Sequence, residues 1–146
     1  MRYEAIQMLR TVLISFLLLV PTFGICEPLT LSQRTITSQG VTKNFVIEVD
    51  TKDVEAQQKF DPVKDDLPLS IKQAVNLAIS EFKKQFNYEP FGVASISLQQ
   101  FPTWAFQDRY YYSVNLFGKP GESSGANAAV LFSGKVIFSK ELQSAP

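Results

Sequence analysis

The side chains in this chain that could do chemistry are serines, lysines and carboxylates, because the sequence contains no histidine. That absence removes Ser-His-Asp and Cys-His catalysis, imidazole zinc sites and the usual general base near neutral pH. A Ser–Lys dyad is left only if Lys72 or Lys135 meets a serine in space. Asp61, Asp65 and Asp66 invite a calcium loop. In that alignment Asp66 falls where the loop needs glycine and Lys72 where it needs a bidentate glutamate, so the motif fails. Glu48, Glu89, Asp108 and Glu122 are too scattered to single out the facing pair that glycoside hydrolysis needs. The segment Gly118–Gly125 (GKPGESSG) lacks the Gly-Lys-Ser/Thr ending of a phosphate loop and leads into a strand pattern. The residues therefore point to a chain that is not an enzyme and carries no cofactor and no metal.

Recognition is a different matter. On one side of two strand patterns, Ser95, Ser97, Gln99 and Phe101 stand beside Tyr111, Ser113, Asn115 and Phe117, and the loop between them adds Trp104 and Phe106. Aromatic anchors among small hydrogen-bonding side chains are the composition of a recognition surface. Phe101, Trp104, Phe106, Tyr111, Asn115 and Phe117 are the candidate partner-binding residues. The alternative is a purely structural cover for this face, by the N-terminal arm, by a further strand or by a second copy of the chain.

The element that must position these residues is the stretch Pro68–Phe86. Ile71, Ala74, Val75, Ala78, Phe82 and Phe86 recur at spacings of three and four, which predicts one apolar face of a helix. Ser70 and Gln73 form a capping-box pattern, Lys83 and Lys84 suit the negative end of the helix dipole, and Asn87 is a C-cap before Pro90. Alternation predicts strands over 41–50, 92–101, 109–117, 126–132 and 136–139, the last two joined by Ser133-Gly134-Lys135. Residues 51–67 read as a charged connection with room for a short helix over 53–60. The arm before Val41 allows a short strand near 34–37, with Gln39-Gly40 as a turn. The order favours an antiparallel meander. The expected fold is α+β: a single helix packed on a curved antiparallel sheet of about four strands. Ala94, Ile96, Leu98, Tyr110, Tyr112, Val114 and Leu116 would face the helix.

The N-terminus resembles a secretory leader. Arg2 and Arg10 precede the apolar run Thr11–Val20, which is too short for a membrane span and is broken by Pro21. Cleavage near Cys26 would leave residues 27–67 as arm, strand and charged linker. Residues 68–146 would be the helix and sheet, one domain together with strand 41–50. The mature chain would hold no cysteine, which suits the bacterial periplasm or another disulfide-free exported setting. A formal net charge of zero argues against a nucleic-acid partner.

The helix SIKQAVNLA, the strand RYYYSVNL and the closing hairpin AVLFSGKVIFS resemble the small exported domains of the PepSY type over about residues 68–140. The element order is also similar to the cystatin-like roll, one helix gripped by an antiparallel sheet. The chain departs from the PepSY pattern in the extra loop at Trp104 and in Phe132-Ser133, where an acid usually precedes the closing turn. The resemblance implies an exported, non-catalytic domain that binds or inhibits another protein. The expected partner is thus another protein, or a second copy meeting the outer sheet face, with no nucleic acid and no stable membrane span after leader cleavage. The competing expectation is a small-ligand pocket, or a minor enzyme, in the cone between helix and sheet.

Overall fold

A computed structural model describes residues 27–118 and 125–142 of the chain. The N-terminal stretch read as a leader and most of the Gly118–Gly125 loop fall outside them. The chain is α+β. Its strands are β1 (Leu29–Ser38), β2 (Val41–Val49), β3 (Gly92–Gln100), β4 (Tyr110–Phe117), β5 (Ala126–Leu131), β6 (Val136–Phe138) and β7 (Lys140–Leu142). A short helix α1 (Thr51–Glu55) and the long helix α2 (Ile71–Phe86) lie between β2 and β3.

Helix α2 forms where its caps and periodicity put it. The Ser70 hydroxyl accepts from the Gln73 N–H at 3.2 Å, and the Gln73 side chain accepts from the Ser70 N–H at 3.0 Å. Asn87 ends the helix in the left-handed region, at φ 60°. Ala74, Ala78 and Phe82 are buried. They pack on Tyr112, Val114, Leu116 and Val130, with Ile96 and Leu98 half-buried beside them. Each large side chain buried there contributes about 1.5–3 kcal/mol, far more than local helix propensity. The Tyr112 hydroxyl is satisfied within this core by the Leu69 carbonyl at 2.7 Å. Ala94 does not join the helix face: it lies in a bulge between Val93 and Ser95 and is exposed.

The expectation of one sheet is corrected to two. A four-stranded antiparallel sheet runs in the order β3-β4-β5-β6, and a three-stranded sheet in the order β1-β2-β7. The N-terminal arm is a ten-residue strand, hairpinned to β2 through Gln39 and Gly40, both at positive φ as primed hairpin turns require. Leu29, Leu31, Ile47 and Val49 of this small sheet, with Val54 of α1, pack against Phe101, Tyr111, Ala129 and Leu131. These are residues of β4 and β5 that point away from α2, and Phe101, which follows β3. Strand β5 and the adjoining part of β4 are therefore covered on both faces, by the helix on one and by the β1–β2 hairpin on the other, while Ser95, Ser97 and Gln99 of β3 stay exposed on the hairpin side.

The β5–β6 hairpin closes tightly. The Gly134 N–H donates to the Leu131 carbonyl at 2.8 Å, and the Leu131 N–H to the Lys135 carbonyl at 2.9 Å. Gly134 holds φ +89°, which an L side chain rarely adopts.

Two-sided cover predicts an asymmetry between alanines. Ala129 is fully buried, so Ala129→Leu overpacks the space between the sheets and lowers unfolding stability by about 1–3 kcal/mol. At exposed Ala94 the same change stays within about 0.5 kcal/mol. Urea unfolding midpoints of the two variants check this.

Candidate functional site

The candidate residues do not form one surface. Phe101 and Tyr111 are buried, at 2% and 6% exposure, with ring centroids 5.0 Å apart. The β1–β2 hairpin covers them, which is the structural alternative that the sequence left open. Burial also raises the Tyr111 phenol above its ordinary pKa.

Trp104 behaves differently. It opens a one-turn 3₁₀ helix, Trp104–Phe106, and is 82% exposed. The loop that carries it is fixed at both flanks. Where it leaves the strand pair, the Phe101 N–H donates to the Arg109 carbonyl at 3.2 Å, and the Gln100 side chain donates to the Gln107 carbonyl. Inside the loop, the Phe106 N–H reaches the Thr103 carbonyl at 2.9 Å and the Arg109 N–H reaches the Phe106 carbonyl at 3.0 Å.

Arg109 ties this loop to the rest of the molecule. Its side chain is only 14% exposed. The guanidinium lies 5.5 Å from the Phe106 ring centroid, a cation–π contact. Its Nε donates to the Gln57 carbonyl at 3.3 Å, Nη2 to the Glu55 carbonyl at 3.4 Å and Nη1 to Asp108 at 2.9 Å. A planar fork with several fixed donors can join two chain segments in this way, which a lysine ammonium cannot reproduce. Asp108 reaches the same connection through Lys59 at 2.6 Å, and its backbone carbonyl accepts the Phe60 N–H at 2.8 Å. Gln57 extends the clamp: it is buried, and its Oε1 accepts the Phe132 N–H at 2.9 Å.

Asn115 and Phe117 lie towards the other end of the β3–β4 pair. Phe117 sits opposite Gly92, whereas the Trp104 loop begins past the Gln100–Tyr110 rung. At about 3.3 Å per residue, these ends are roughly 25 Å apart. Phe117 is 53% exposed, and the Asn115 amide donates to the Ser95 hydroxyl at 2.7 Å. Both line a surface depression shared with Arg34 of β1.

Sequence patterning found Trp104 but missed its support. Arg109 and Gln57 are 52 residues apart, and nothing in their local pattern announces the contact. The adjacent pair Asp108-Arg109, placed just after an aromatic loop, was the available signal. Lys135, a candidate for a Ser–Lys dyad, is paired with Asp53 at 2.5 Å. Among the described residues, no cluster of His, Cys, Asp and Glu is arranged to hold a metal, and no helix is long and apolar enough to cross a membrane.

The Lys59 ammonium hydrogen-bonds Asp108 and holds its carboxyl below the ordinary carboxylate pKa. The stabilisation from this contact is present above the unfolded-state pKa and is lost as pH falls through the lowered folded-state value. An NMR titration should show the Asp108 carboxyl titrating low in the native chain and returning towards the ordinary range in Lys59→Ala. An unchanged titration would mean that the Lys59–Asp108 contact does not form in solution. Comparison of the chain with family models, with curated proteins and with solved structures found no match.

Proposed function

We propose that this chain is an exported, non-catalytic binding module, and that it engages another protein through the loop Phe101–Asp108 with Trp104 as the anchor. The observation that carries this is a tryptophan 82% exposed on a loop whose flanks are hydrogen-bonded and clamped by Arg109. A large aromatic left in water is a feature that binding can exploit, and tryptophan is among the residues that dominate interface energetics. A loop already held in place loses less conformational entropy when a partner docks. Export is supported by the leader-like N-terminus, and a periplasmic or secreted setting by the absence of cysteine after it.

The same proposal takes the fold as a variant of the cystatin-like roll, with PepSY-like domains as its nearest pattern. Helix α2 across the sheet β3-β4-β5-β6 supports that plan. The sheet β1-β2-β7 is then an addition that covers the far face. That cover takes Phe101 and Tyr111 out of the binding surface and leaves the Trp104 loop at the rim as its anchor. Self-association through Phe101 and Tyr111 is disfavoured, because both are already covered.

Affinity capture from periplasmic extract, with the wild-type chain and with Trp104→Ala as baits, tests the proposal. Because Trp104 is exposed, the substitution should change unfolding stability by no more than about 0.5 kcal/mol. A protein retained by the wild type should be lost from the variant. Recovery of the same proteins by both baits would remove the loop from the account.

A further inference from the structure

A cleft of about 300 Å³ opens at the end of the molecule away from Trp104, where the β1–β2 hairpin meets the C-terminal half of α2. Ile36, Phe45 and Ile47 form one wall, and Phe82, Phe86 and Tyr88 the other. The first wall follows from the ladder. Arg34 pairs with Phe45 and Ser32 with Ile47, so alternate residues of both strands face the same way.

Two polar groups are out of place in such a cleft. Arg34 lines it, yet among the described residues its guanidinium makes no ion pair or hydrogen bond and no carboxylate lines the cleft beside it. The chain's other described arginine, Arg109, is fully engaged. The Oδ1 of Asn127 is buried against the same cleft with no hydrogen-bond partner. A buried acceptor without a donor costs free energy, and a guanidinium beside apolar walls is an unfilled match for a carboxylate.

We infer that this cleft binds a small single-chain carboxylic acid, with the carboxylate held by Arg34 and the hydrocarbon chain between the β1–β2 wall and the aromatic wall of α2. At about 30 Å³ per water-sized group, the volume suits on the order of ten non-hydrogen atoms, which is a medium-length chain. One guanidinium balances the single charge of a carboxylate. A phosphate ester brings about −1.5 to −2, which this cleft leaves partly uncompensated. The cleft and the Trp104 loop lie at opposite ends of the sheet, so this inference stands apart from the proposed protein partner.

The test is an NMR titration of the full chain with sodium octanoate, and separately with 1-octanol as the uncharged analogue. Octanoate should shift the amides of Phe45, Ile47 and Asn127 and bind about tenfold more tightly than octanol, the factor expected for one charge-assisted contact. Arg34→Gln should abolish that preference and leave octanol binding unchanged. Arg34 is exposed on an edge strand, so the variant should fold, and its urea midpoint checks that. Equal binding of the two compounds to the wild type would overturn the inference, since the Arg34 stem would then merely cover apolar surface. Absence of shifts with either compound would also overturn it. Both of these outcomes are read on the wild-type chain and do not depend on the variant.

Discussion

Strand β5 has no free face. Ala128, Ala129, Val130 and Leu131 are all fully buried. Val130 belongs to the core under α2, and Ala129 and Leu131 to the core under the β1–β2 hairpin. Every other element is arranged around this constraint. Two adjacent alanines let a helix and a sheet approach the same strand from opposite sides. Larger residues there would force the layers apart, because close-packed interiors have little slack. Strand β4 obeys the same rule by alternation: Tyr112, Val114 and Leu116 face the helix, and Tyr111 faces the second sheet.

The two-sided cover of β5 and the adjoining part of β4 leaves the ends of the sheet and the outer face of β3 open. At one end the chain must turn between β3 and β4, and it does so in a loop stitched to α1 and its connection by Arg109, Asp108 and Lys59. The contacts that matter there are the ones in which the guanidinium is largely withdrawn from water. Exposed pairs elsewhere, such as Lys43–Glu141 and Lys64–Asp61, are worth little individually. At the other end lies the cleft beside Arg34, lined by residues of the β1–β2 hairpin, of α2 and of the start of β5. A stiff aromatic loop and an apolar cleft are thus products of one packing solution.

The sequence made the helix legible because its signals are local: a capping box, a three-four apolar spacing and an asparagine C-cap. The β3–β6 meander was legible for the same reason, through alternation and the turn at Gly134. The second sheet was legible only in part, through the alternation of β2 and the turn at Gln39-Gly40. Strand β1 (LTLSQRTITS) is mostly polar and reads as an arm, and β7 (KEL) is charged and only three residues long. One clue was present. Residues 128–132 (AAVLF) are an unbroken apolar run, and such runs mark strands buried on both faces, whereas one-sided strands alternate. Given its weight, that run would have placed Phe101 and Tyr111 in a core and left Trp104 and Phe117 as the exposed aromatics of the set. The clamp on the Trp104 loop depends on contacts between residues more than 50 positions apart, which no local pattern encodes.

The central claim is that Trp104 stands in water on an immobile loop. It is the chain's single tryptophan, so its fluorescence reports this site alone. Time-resolved anisotropy combined with acrylamide quenching is the most direct measurement. The account predicts quenching close to that of a free indole, together with anisotropy that decays mainly with tumbling of the whole molecule. Strong protection from acrylamide, or a dominant fast local decay, would contradict it.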